Sequence, residues 1–198
     1  MTIEQQAAGS GQQAAKESPA VERVYLVGPR GSGKSTVGRV LAGRLGWMFI
    51  DADDALEKSA GRTIAELFDA EGEAGFRVRE ADLLGVLAKR ERHVIACGGG
   101  VVLRPSNRQL LRATGLCIWL TGDSKILCER LSCDPTTATR RPALTELPAL
   151  AEIERLLRER EPLYREVAHL TIATDGRSPA DVVSAILNAW PTSALTCP

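Results

Sequence analysis

Between the apolar run Val24-Tyr25-Leu26-Val27 and the helical pattern Val37 to Leu45 stands Gly28-Pro29-Arg30-Gly31-Ser32-Gly33-Lys34-Ser35-Thr36. The segment satisfies G-x-x-x-x-G-K-[S/T], and few short patterns constrain a fold more tightly. The chain must leave a buried strand, turn with its N–H groups pointing inward, and enter a helix at once. Glycines at 28, 31 and 33 permit that turn, and the helix N-terminus adds partial positive charge where the amides converge. Gly31, Ser32, Gly33, Lys34, Ser35 and Thr36 are therefore expected to cradle the phosphates of a nucleoside triphosphate. Lys34 reaches the terminal phosphates as a mobile point charge, and the Ser35 hydroxyl is placed for Mg²⁺.

Five short apolar segments recur at the spacing of βα units: Val24–Val27, Trp47–Ile50, His93–Cys97, Leu116–Leu120 and His169–Ala173. Helical patterns separate them at Thr63 to Ala70, Glu73 to Arg90, Asp123 to Leu131, Glu152 to Val167 and Ser178 to Trp190. Continuous apolar strands alternating with helices predict an α/β fold, a single domain with a five-stranded parallel sheet flanked by helices. Residues 1–20, rich in Gln, Ala, Ser and Gly, read as a disordered leader. Residues 21–190 make the domain, and 191–198 a loose tail.

Twenty-five basic residues balance twenty-five acidic ones, so no global field favours nucleic acid or an anionic membrane. Any anion must be recruited by local arginines, and the expected partner is a small molecule. Five cysteines form no C-x-x-C pair, and no apolar run approaches spanning length. With no hydrophobic N-terminal segment, the expectation is a reduced, cytoplasmic protein, and a monomer.

In parallel sheets, ligands sit beyond the carboxyl ends of the strands. The second strand ends in Asp51-Ala52-Asp53-Asp54. One carboxylate there suits the metal beside Ser35, and another suits a hydroxyl proton; alternatively, Asp53 or Asp54 caps a helix beginning near Ala55. The third strand ends in Gly98-Gly99-Gly100, whose backbone admits close approach of a ligand, or simply turns. On a helix, Arg77 and Glu80 share a face and can pair, which holds a planar fork suited to a carboxylate, or merely makes a solvated ion pair. Ser132 to Leu144, with Arg140 and Arg141, reads as a mobile lid able to bring an arginine to a transferring phosphoryl group, or as a plain surface loop. Pro162 interrupts a helical run and is expected to kink it, re-aiming Arg165.

Taken together, these residues resemble shikimate kinase from about Val21 to Asn188. The resemblance rests on GPRGSGKST, Asp51-Ala52-Asp53, Gly72-Glu73 followed by Phe76-Arg77 and Glu80, Gly98 to Gly100, Arg141-Pro142 and Pro162-Leu163-Tyr164-Arg165. It implies a P-loop kinase, nucleoside-monophosphate-kinase-like in architecture with a mobile lid, that phosphorylates the 3-hydroxyl of shikimate with ATP on the route to chorismate and the aromatic amino acids. It implies Asp53 as base and contact to the reacting hydroxyl, with Arg77, Gly99 and Arg165 holding the substrate. Lys34 and Arg141 would stabilise the phosphoryl group, and Ser35 and, through water, Asp51 would serve Mg²⁺. Arg130 and Arg177 resemble adenine-side contacts. The lid between Arg130 and Arg141 is longer than the family's usual spacing, which leaves Arg140 and Arg141 both open as the lid arginine.

Rival readings are a gluconate or nucleotide kinase of the same architecture, and a non-catalytic nucleotide sensor. No N-K-x-D motif for reading guanine occurs. Lys34, Ser35, Asp53 and Arg77 together suit transfer better than mere binding.

Overall fold

The computed structural model describes residues 21–133 and 148–190. Arg140 and Arg141, with the rest of the expected lid beyond Cys133, and the leader and tail segments lie outside the described residues.

All five expected strands form, as β1 (Arg23–Val27), β2 (Met48–Asp51), β3 (His93–Ala96), β4 (Leu116–Thr121) and β5 (Leu170–Ala173). They pair in parallel in the order β2-β3-β1-β4-β5. β1 lies at the centre, with Tyr25 opposite Ile95 on one side and Cys117 on the other. Val24 to Val27 are wholly buried, which explains why β1 reads as an unbroken apolar run.

Each face of the sheet is covered by helices. On one side α1 (Lys34–Leu45) and α7 (Pro179–Asn188) bring Val37, Leu41, Val182 and Ile186 onto Leu26, Val94 and Ile118. On the other, α3 (Ile64–Leu87), α4 (Pro105–Thr114) and α6 (Ala149–Val167) bring Leu84, Leu111, Tyr164 and Val167 onto Tyr25, Ile95, Cys117 and Trp119. A smaller cluster of Leu56, Ile64, Leu67 and Phe76 joins α2 (Ala52–Ala60) to α3 beside the carboxyl ends of β2 and β3. Among the described residues, α5 (Ser124–Ser132) follows β4.

Three local features bear on the sequence reading, and two of them depart from it. α2 starts at Ala52, not near Ala55, and its cap is Asp51, which accepts from the Asp53 and Asp54 amides at 3.0 and 3.5 Å. Neither Asp53 nor Asp54 is that cap. The split between the helical patterns Thr63 to Ala70 and Glu73 to Arg90 is borne out, since α3 is two helices that meet at Gly72, where φ is 67° and ψ 180°. A capping box of Thr63 and Glu66 starts it. The expected interruption at Pro162 does not occur, since α6 runs through it. Pro162 and Arg158, whose carbonyl loses its partner, both lie on the exposed face, where solvent can reach that oxygen.

Candidate active site

The phosphate loop has the backbone that its glycines predict. Gly28, Gly31 and Gly33 take φ of 140°, 77° and 82°. A Cβ on Gly28 would stand 2.3 Å from the Leu120 carbonyl oxygen, so β4 leaves no space there for a side chain. Ser32 is buried and donates to the Pro29 carbonyl at 2.8 Å, closing the turn. Lys34 opens α1 and folds over the loop, with Nζ donating to the Gly28 and Pro29 carbonyls at 3.0 and 2.7 Å. Thr36 lies in the first turn of α1 and is exposed.

Beside the loop, Ser35 Oγ donates to Asp51 Oδ2 at 2.5 Å. The end of β2 thus brings the two expected metal residues into contact. Two hard oxygen donors are a small set, and they fit a cation that prefers few protein ligands plus water and phosphate oxygens.

A pocket opens between the loop and α3. Asp53 enters it from the first turn of α2, Phe76, Arg77 and Glu80 from α3, Gly98 to Gly100 from the end of β3, Arg30 from the phosphate loop and Arg160 from α6. Ile64, Phe68 and Phe76 form an apolar wall, with the Phe68 and Phe76 rings 4.4 Å apart. Arg77 is held on two sides, donating to Glu80 Oε2 at 2.8 Å and Glu73 Oε1 at 3.2 Å. The expected Arg77–Glu80 pair forms, but inside the pocket wall and not on a solvated face.

The three glycines have separate tasks. At Gly100 a Cβ would lie 2.3 Å from both terminal nitrogens of Arg77, so the guanidinium rests directly on backbone. At Gly98 it would lie 2.9 Å from Asp53 Oδ1 and 2.9 Å from Glu80 Oε1, which marks how closely both carboxylates approach the turn. The Gly99 carbonyl accepts from the buried Tyr164 hydroxyl at 2.5 Å. A plain flexible turn would need none of these approaches.

Electrostatically, the pocket is a buried carboxylate between arginines. Burial pushes the Glu80 carboxyl above its ordinary range, with Arg77 and then Arg160 pulling it back. Burial also raises the Tyr164 phenol to about 12, so it stays a donor. Cys97, beneath the turn, is pushed well up by the same cause and is no nucleophile.

Arg165 is not part of this pocket. Its side chain is 72% exposed, pairs with Glu161 at 2.6 Å, and lies over the Trp119 ring at 6.0 Å. Arg160, which the sequence reading passed over, stands there instead and is only 8% exposed. The cause is helical phase. Tyr164 follows Arg160 by four positions and shares its inward face, whereas Arg165 lies about 140° further round the helix. That phase was present in the sequence, with Leu163 and Val167 to mark the apolar side.

At the phosphate loop, Arg130 donates to the Gly31 carbonyl at 3.3 Å and to the Thr174 hydroxyl and carbonyl, both at 2.9 Å. The exposed Arg177 follows in the same loop, its amide bonded to the Thr174 carbonyl at 3.4 Å. Both expected adenine-side residues therefore meet at Thr174, beside the phosphate loop.

Residues 30–191 match the family model described as shikimate kinase. A shikimate kinase of Rhodopirellula baltica is 43% identical over 172 residues, covering 87% of this chain and 92% of the relative. One from Symbiobacterium thermophilum is 46% identical over 164 residues, covering 83% and 93%. Among solved structures, shikimate kinase from Acinetobacter baumannii in complex with shikimate superposes with a TM-score of 0.80 at 39% identity, covering 85% of this chain and 92% of that one. A gluconokinase from Sinorhizobium meliloti, with a TM-score of 0.56 and 23% identity over 84% and 90% of the two chains, shares the fold.

Proposed function

Because the chain belongs to the shikimate kinase family, we propose that the pocket between the glycine turn and α3 receives shikimate, with Asp53, Arg77, Gly99 and Arg160 as its contacts. The protein uses ATP to phosphorylate shikimate on the route to the aromatic amino acids. The observation that carries the site assignment is the convergence of Arg77 and Arg160 in a pocket that Asp53 and the phosphate loop adjoin. Two guanidinium groups on either side of Glu80 leave a net cationic niche for a carboxylate, and the apolar wall of Phe68 and Phe76 suits a ring.

With its carboxylate held, the substrate turns its hydroxyl edge towards Asp53. The Asp53 carboxylate accepts the proton from the attacking hydroxyl. Lys34 trades its loop carbonyls for phosphate oxygens and balances charge on the transferring group. Arg141 of the lid would add a second cation there. Ser35 and Asp51 would hold Mg²⁺, which neutralises phosphate charge when bound. Arg130 and Arg177 flank the adenine.

The proposed setting is a cytoplasmic monomer. Cys97, Cys117, Cys128 and Cys133 are free thiols, as a reducing compartment would leave them. No helix among the described residues is long and apolar enough to cross a membrane.

A coupled assay of ADP release tests the substrate, with turnover expected on shikimate and none on gluconate or nucleoside monophosphates. Asp53→Asn should nearly abolish turnover while ATP affinity is kept. Arg160→Lys should raise KM for shikimate about tenfold or more, and Arg165→Lys should leave it within about twofold. The reverse order would restore Arg165 to the site and remove Arg160.

A further inference from the structure

After the three glycines the chain makes one 3₁₀ turn, Val101–Leu103, whose carbonyls are taken by side chains of α4. Asn107 Nδ2 donates to the Val101 carbonyl at 3.0 Å. Arg108 donates to the Val102 and Leu103 carbonyls at 2.9 and 3.3 Å. The same Arg108 reaches across to α6, its Nε 2.9 Å from Glu166 Oε2. Just before α4, Arg104 reaches the other way and donates to the backbone carbonyl of Arg77 at 3.0 Å. That carbonyl sits inside α3, so Arg104 uses its second lone pair.

We propose that Arg104 and Arg108 are positioning residues that fasten α3 and α6 to the glycine turn, fixing the gap between Arg77 and Arg160 to the width of one carboxylate. The inference rests on the substrate roles given above to those two arginines. Neither Arg104 nor Arg108 lines the pocket. Each acts through backbone or a partner on the neighbouring helix.

Two observations separate this clamp from ordinary packing. α4 is already seated by Leu111 and Asn107, both essentially buried, so its docking does not require two arginines. And the bond from Arg104 lands on Arg77 itself, while the Arg77 guanidinium rests on Gly100. Backbone and side chain of the substrate arginine are thus referenced to the same turn, leaving it little freedom to follow a misplaced ligand.

Steady-state kinetics of Arg104→Met, which keeps the apolar stem but cannot donate, test the proposal. KM for shikimate should rise about three- to tenfold, with kcat and KM for ATP within about twofold of wild type. Arg104→Lys, which can still donate to one carbonyl, should recover most of the loss. In an Arg77→Lys background, Arg104→Met should add less than about twofold, because the group it positions has already changed. An unchanged KM in Arg104→Met, an equal rise for ATP, or full additivity with Arg77→Lys would overturn the clamp. If Arg77→Lys itself leaves KM unchanged, the substrate site is wrong and the clamp falls with it. Should Arg104→Met not fold, Arg108→Lys decides by the same split, since one ammonium cannot serve both the turn carbonyls and Glu166.

Discussion

Glu80 shows how one residue can be costly to bury and still indispensable to a site. Its raised carboxyl pKa means that burial outweighs the pull of Arg77 and Arg160. A group raised on folding contributes stability that is fullest below its unfolded value and is lost as pH climbs through the folded one. Glu80→Gln should therefore cost little stability at neutral pH, within about 1 kcal/mol. The urea-midpoint difference should move in favour of wild type as pH falls through the window above 4.5. Function should respond differently. Gln cannot hold Arg77 by charge, so KM for shikimate should rise about tenfold in the variant at neutral pH. Wild type should approach that value on acidification as Glu80 takes up its proton, while the variant lacks this rise. Kinetics across pH for the pair check both.

At the scale of elements, two of the three glycines of α3, Gly72 and Gly85, should respond to alanine with opposite sign. Gly72 has φ 67° and ψ 180°, a conformation that only glycine adopts readily, and nothing lies within 4 Å of where its Cβ would be. Gly72→Ala should lose about 1 to 3 kcal/mol by backbone strain alone. Gly85 is helical, with equally open surroundings, and Gly85→Ala should gain about 0.4 to 1 kcal/mol. Denaturant midpoints of the two variants give the comparison. The strands were legible because each holds a short apolar segment at βα spacing, unbroken and buried in β1, β3 and β4, and the phosphate loop because its glycines and lysine admit one geometry. α4 was not read as a helix, since only Leu110 and Leu111 supply apolar character and the buried Asn107 breaks the stripe. Arg160 was missed for a related reason: an arginine on an amphipathic helix reads as solvated, and only the helix's phase against Tyr164 turns it inward. The division of labour among Gly98, Gly99 and Gly100 depends on contacts with Asp53, Glu80, Tyr164 and Arg77, which no local pattern encodes.

For the whole molecule, the sheet order puts β1 at the centre, between two strands that are themselves paired on both edges, and both of its faces are covered. Its amides should exchange with solvent most slowly, near the rate set by global unfolding, while those of the edge strands β2 and β5 exchange faster. Hydrogen exchange followed by mass spectrometry measures this, and fast exchange in β1 would contradict it. The order also bears on how the chain is made. β1 is the first strand to leave the ribosome, yet its neighbours begin only at His93 and Leu116. A nascent chain must therefore carry this buried strand unpaired until His93 is made and half-paired until Leu116 follows, so a pause before residue 116 would leave a sticky, chaperone-dependent intermediate, whereas release beyond it would let the central strands close.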